Sequence, residues 1–140
     1  MKREILALHL LDHMPDAFVV SDAKGLITHW NAGAERVFGF TEGEALGQSL
    51  DIIIPVNLRK RHWDGYDETM RTGQTRYGAG DLLSVPALCK DGRRISVQFS
   101  IFAIRDSEGA MTAVGAVMRD ATADFEERKR LRNMVAAHNL

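Results

Sequence analysis

Apolar residues recur along this chain with two different periods, and the change of period divides it into segments. Residues 3–13 place Ile5, Leu6, Leu8, Leu10 and Leu11 mostly on one side of a helix, with Arg3, Glu4 and Asp12 elsewhere, and Pro15 stops it. Residues 17–22 read as a strand, Asp22-Ala23-Lys24-Gly25 carries turn chemistry, and residues 26–30 form the return strand of a hairpin. Asn31 is placed to cap the next helix, whose Ala34, Val37 and Phe38 share a face and which Gly39 ends. Thr41 and Glu44 have the spacing of a capping box for a second short helix, closed by Gly47. The apolar run 50–54 meets Pro55, and a longer helix is expected from about Asn57 to Thr72, with Gly73 as its end.

The second half changes period. Residues 81–89, 93–105 and 110–119 are rich in Val, Ile, Leu and Phe, and Lys90-Asp91-Gly92 and Asp106-Ser107-Glu108-Gly109 separate them as hairpin turns. Three consecutive antiparallel strands are expected there. From Thr122 onward Phe125, Leu131, Met134 and Val135 stand among many charges in a helical pattern. The whole is an α+β chain with one antiparallel sheet. The helices between the second and third strands must cover one sheet face, with a pocket expected between sheet and helices. Val85 and Ala87, then Phe99, Ile101 and Ala103, then Val114, Ala116 and Met118 share parity within their strands. Which parity faces the helices stays open at this level, and simple core filling is the alternative role for these residues.

Composition narrows the function classes. At 140 residues the chain has the length of one domain, and 45% hydrophobic content supports a packed core. A net charge of −1 gives no basic face for nucleic acid, and the short runs at 59–61 and 128–130 have acidic neighbours. One cysteine, Cys89, excludes an internal disulfide and points to a reducing, cytoplasmic setting. No segment reaches the roughly 18 apolar residues of a membrane span.

Several of these pieces together resemble the PAS family of sensor domains. The matching residues run from Ser21 to Asn31, then Ala34-Glu35-Arg36-Val37-Phe38-Gly39-Phe40, Glu44-Ala45-Leu46-Gly47 and Ile54-Pro55. Lys90-Asp91-Gly92 and Met118-Arg119-Asp120-Ala121-Thr122 complete the match, which covers about residues 8 to 125. The resemblance implies a PAS fold: a five-stranded antiparallel sheet with short helices on one face and flanking N- and C-terminal helices. It divides the chain into a flanking helix at 1–14, a core at 15–121 and an output or linker helix at 122–140. It further implies binding of a small ligand, homodimerisation through the terminal helices, and control of a kinase, cyclase or regulator in the same or another chain. Asp22 and Asn31 take structural roles in this pattern, as turn acceptor and helix cap. Arg119, Asp120 and Thr122 resemble the family's junction between last strand and output helix.

Residues 54–62 resemble, more narrowly, the haem-binding PAS domains of oxygen-sensing kinases and phosphodiesterases. There the histidine seven residues after the proline, here His62, is the proximal iron ligand, and a neutral imidazole suits that role. The resemblance implies haem b held through His62, with Tyr66, Leu83, Val85, Ile101, Val114, Ala116 and Met118 around it. Two positions depart from that pattern. Tyr66 lies four residues after His62 where those sensors place tyrosine three after, and Leu83 stands where they carry an arginine. The alternative role for His62 is a polar helix residue in a common Arg-His-x-x-Gly-Tyr pattern.

The remaining chemistry is sparse. His9 and His13 are four apart but lack a third ligand, and His29 and His138 stand alone. Cys89 sits at a strand end rather than in the helical run of flavin-adduct photosensors. Asp64, Asp67 and Glu68 read as helix-surface ion-pair partners. No glycine loop for phosphate and no nucleophile elbow is present, so the reading is a sensing or docking domain and not a self-contained enzyme. Two functions remain: a ligand-binding sensor, through gas or redox chemistry if haem is held, and a ligand-free interaction module with a filled core.

Overall fold

The computed structural model describes residues 1–78 and 80–138. Positions 139 and 140 of the expected C-terminal segment lie outside the described residues. The elements are α1 (Arg3–His13), β1 (Ala17–Asp22), β2 (Ile27–Trp30), α2 (Ala32–Phe38), α3 (Glu42–Ala45), α4 (Arg59–Thr72), β3 (Leu83–Leu88), β4 (Arg94–Arg105), β5 (Met111–Asp120) and α5 (Thr122–His138). Short 3₁₀ turns at Leu50–Ile53 and Val56–Leu58 lead into α4. The expected start of that helix at Asn57 therefore moves by two residues, because the chain turns more tightly after Pro55 before the regular helix begins.

The five strands form one antiparallel sheet in the order β2-β1-β5-β4-β3. Sequential hairpins account for every neighbour except β1 beside β5, where Ala17 faces Met118 and Val19 faces Ala116. That pairing brings the first and last strands together at the centre. It sets Leu83, Phe99, Met118 and Ala17 in one cross-strand row, and Ile101, Ala116 and Val19 in another. These odd and even sets fall on the helix side and answer the parity question, because Ala17, Val19, Ala87, Val97 and Met118 join Phe38, Ala45, Leu50 and Ile53 in the core cluster.

Local chemistry explains the element ends. The Asp22 carboxylate accepts from the backbone N–H of Lys24 and Leu26 at 2.9 and 3.0 Å, tightening the first hairpin turn. Thr41 and Glu44 complete a capping box at α3. Gly39 and Gly73 end α2 and α4 in the left-handed region. Asn31 does more than cap α2. Its Oδ1 accepts from Ala34 N at 2.9 Å and from Phe18 N at 2.8 Å, while its Nδ2 donates to the Asp16 carbonyl at 3.1 Å. One buried amide thus joins the start of β1 to the start of α2.

Gly33 makes this junction sterically feasible, since a Cβ there would stand 2.1 Å from the backbone oxygen of Asp16. Backbone cannot withdraw as a flexible side chain can, so Gly33→Ala should destabilise the fold by about 2–3 kcal/mol. Gly43, with open space around its Cβ position, is the control. Thermal unfolding should show a clear fall in Tm for Gly33→Ala and none for Gly43→Ala; equal Tm values in both variants would contradict the packing described.

Candidate functional site

The helix α4 is fastened at its first turns. Arg59 donates to the carbonyls of Ile54 at 3.0 Å and Asp51 at 3.2 Å, holding the helix to the preceding 3₁₀ turn. Trp63 donates its indole N–H to the Asp51 carboxylate at 2.7 Å and lies over the first hairpin turn. Its ring leaves so little room that a Cβ on Gly25 would stand 2.2 Å from it, and Gly25 also needs a φ of +79°. One turn further along, the Tyr66 hydroxyl donates to the Asp22 carbonyl at 2.5 Å. With its only proton used there, it accepts from the Ser21 hydroxyl at 2.9 Å. The far end of α4 is held by Arg105, which donates to the Gly73 carbonyl at 2.7 Å.

These bonds run α4 from the end of β1 to the end of β4, yet none of its residues is more than partly buried. The consequence appears on the edge half of the sheet. On the helix-facing side Val85 remains 40% exposed, and Leu83, Phe99 and Ile101 are only half-buried. Toward the centre the same face closes over Val114 and Met118, at 8% and 6% exposure, with Ala116 half-buried. The expected lining residues therefore share one face and form a gradient from covered to open. Every one of them is apolar.

His62 packs against two aromatic rings of its own helix. Its ring meets those of Trp63 and Tyr66 at centroid distances of 4.6 and 5.7 Å. Its Nδ1 is the one buried side-chain nitrogen or oxygen without a hydrogen-bond partner among the described residues. An unpartnered buried polar atom in a native fold calls for a function or a missing partner. Burial lowers the His62 pKa below its ordinary value, outweighing the opposing charges of Asp51 and Asp67, so the ring is neutral at pH 7. Burial raises the Tyr66 pKa, keeping its hydroxyl a donor.

Of the other residues singled out by sequence, Asp22 and Asn31 hold the hairpin turn and the β1–α2 junction. Asp120 accepts from Thr122 N at 2.9 Å and from its hydroxyl at 2.6 Å, and Ser96 N donates to that hydroxyl at 3.0 Å. Arg119 reaches the Asp16 carboxylate through two bonds of 3.2 Å. Asp64 and Glu68 pair with Lys60 and Arg71 on the exposed face of α4, as their spacing suggests. Asp51, Trp63 and Ser21 belong to the site and escaped sequence reasoning, since their partners lie 12 to 45 residues away.

A separate cleft of about 350 Å³ lies between the end of α2 and the β3–β4 hairpin, lined by Arg36, Phe38, Cys89, Lys90, Asp91 and Arg93 among others. Its charges are largely internal: Lys90 pairs with Glu44, holding that carboxyl down at about 2, and Arg93 with Asp91. Cys89 is buried there and donates to the Val37 carbonyl. The described residues contain no group of three or more His, Cys, Asp or Glu side chains able to hold a metal ion, so the stacked His9 and His13 have no third ligand. No described helix is long and apolar enough to cross a membrane.

The architecture is one antiparallel sheet with short helices packed over one face and a longer helix at each end. The family model described as PAS fold matches residues 8–121, and the chain belongs to that family. The chain is similar to Sensor protein FixL of Bradyrhizobium diazoefficiens, 33% identical over 132 residues, covering 94% of this chain and 26% of that protein. It is 25% identical over 111 residues to Oxygen sensor protein DosP of Escherichia coli, covering 79% of this chain and 14% of that protein. It thus spans about a quarter or less of these relatives' length. The PAS domain of a Colwellia psychrerythraea protein superimposes with a TM-score of 0.75 at 20% identity, over 87% of this chain and 99% of that one.

The burial of His62 has a consequence for stability. Burial holds its folded pKa below the 6.5 of the unfolded chain, so as pH falls below 6.5 the unfolded chain binds more protons and stability drops. The neutral ring imposes no penalty above pH 6.5, and the penalty grows as pH falls through that value. Replacing His62 by Gln should therefore flatten the acid limb of a Tm-against-pH curve starting near pH 6.5. Parallel curves for the parent and His62→Gln would contradict the burial.

Proposed function

We propose that this chain is the sensing unit of a signalling protein and holds haem b against β3–β5 through His62. The observation that carries the reading is the neutral His62 ring, whose buried Nδ1 has no partner in the protein. The residues fit the group. A neutral imidazole is an iron ligand, and Leu83, Val85, Ile101, Val114, Ala116 and Met118 present an apolar wall, open on the β3 side, to a flat macrocycle. When bound, haem supplies an iron centre that takes up a diatomic gas or an electron. Trp63 and Tyr66 hold the His62 turn in place through Asp51 and Asp22, and the apolar wall excludes water. The similarity to a protein named as an oxygen sensor supports the same reading.

The core at 15–121 receives the ligand, and the segments at 1–14 and 122–140 carry the response. α1 exposes Ile5, Leu6, Leu8 and Leu10, and α5 exposes Phe125, Leu131, Met134 and Val135. These faces suit a homodimer, whose arrangement a ligand shifts only by binding one arrangement better than another. A kinase, cyclase or transcription regulator then receives the signal, in a cytoplasmic setting that keeps Cys89 reduced.

Absorption spectroscopy tests this directly. The purified chain mixed with one equivalent of haemin and passed through gel filtration should retain a Soret band. His62→Ala should weaken haem affinity by about 10–100-fold or more. A chain that elutes colourless would overturn the haem reading in favour of a ligand-free interaction module. A Soret band unchanged in His62→Ala would remove His62 from the site.

A further inference from the structure

The segment that joins α1 to β1 is held at successive positions by side chains from elsewhere in the fold. Arg36 on α2 donates to the carbonyls of Met14 at 3.4 Å and Pro15 at 3.3 Å. Asn31 donates to the carbonyl of Asp16 at 3.1 Å, in the close approach that Gly33 permits. The Asp16 carboxylate takes Nε and a terminal nitrogen of Arg119, each at 3.2 Å, in a two-pronged pair. Asp16 and Arg119 lie 103 residues apart, and the Ala17–Met118 pairing of β1 with β5 brings them face to face.

Arg119 also stands at the root of the other terminal helix. The next residue, Asp120, caps α5 through Thr122, whose hydroxyl accepts from Ser96 N on β4. The residue before it, Met118, is buried on the groove side of β5. One stretch of strand therefore touches the ligand-facing surface through Met118, the α1 root through Arg119 and the α5 root through Asp120. The Arg119 side chain is 69% exposed, so this ion pair adds little to stability in water. What a two-pronged guanidinium–carboxylate pair does supply is direction, because both bonds form only in one relative orientation.

We propose that the Arg119–Asp16 pair is a latch that makes α1 and α5 turn as one unit when β5 shifts. The inference rests on the reading of the chain as a signalling unit, but the latch itself needs neither haem nor an output partner. Replacing Arg119 with Ala or Asp16 with Asn should leave the sheet intact and free the two helices from each other. The reciprocal exchange, Asp16→Arg with Arg119→Asp, rebuilds the pair with its charges reversed.

The test is a distance measurement by pulsed electron spin resonance on the full chain. Spin labels are attached through Ala7→Cys on α1 and Arg132→Cys on α5, with Cys89→Ala as background and excess unlabelled chain so that only distances within one molecule are read. The parent should give a narrow distribution. Arg119→Ala and Asp16→Asn should each broaden it at least twofold with little change in Tm, and the exchanged pair should return the parental width. Unchanged widths in the single variants would overturn the proposal, as would an exchanged pair that stays broad. Because no haem is added, failure here is distinct from loss of the Soret band, which bears only on the ligand.

Discussion

The hydroxyl of Tyr66 reaches from α4 to the last residues of β1, and that contact decides which part of the sheet is covered. It accepts from Ser21, donates to the Asp22 carbonyl, and works together with the Trp63 bond to Asp51 one turn away. The helix is thereby pinned above the β1–β2 turn at one end, and Arg105 holds its other end at the close of β4. A helix fixed at both ends in this way crosses the end of the sheet, while the face of β3 and adjoining β4 stays partly open. The exposed charges of α4, paired as Lys60–Asp64 and Glu68–Arg71, keep its outer side in water. Its inner side carries His62 and Tyr66.

α4 packs Trp63 and Tyr66 against the core cluster and carries His62, whose buried Nδ1 has no hydrogen-bond partner among the described residues. The sheet presents an apolar face that runs from buried Met118 to exposed Val85. β5 is the strand that both contributes to this face and pairs with β1. The pairing of first and last strands places the roots of α1 and α5 side by side.

The features legible in the sequence are those whose causes lie within a few residues. The Asp22–Gly25 turn, the Thr41–Glu44 box, the Asn31 cap, the two later hairpins and the stop at Gly73 all depend on bonds spanning two to four residues, so local chemistry predicts them. The side of each strand that faces the helices needed the register of β1 on β5, which no local pattern encodes. Asn31 shows the boundary well: its bond to Ala34 was readable, while its bonds to Phe18 and Asp16 join positions 13 and 15 residues away. Trp63 carries no local signal of what it does. Its role in fixing α4 depends on Asp51 and on the bare backbone of Gly25, and a glycine after Asp-Ala-Lys was already explained by the turn. His62 was legible as a candidate, but its unpartnered Nδ1 is a property of the packed structure alone.

Hydrogen–deuterium exchange of the chain with and without haemin tests most directly whether α4 and the open edge of the sheet form the sensing site. The account predicts slower exchange on haemin addition in α4 around His62 and in β3 and β4 around Leu83, Val85 and Ile101. It predicts no change around the Arg36–Arg93 cleft. Protection confined to the exposed helices α1 and α5, or to that cleft, would contradict the account and place the ligand elsewhere on the fold.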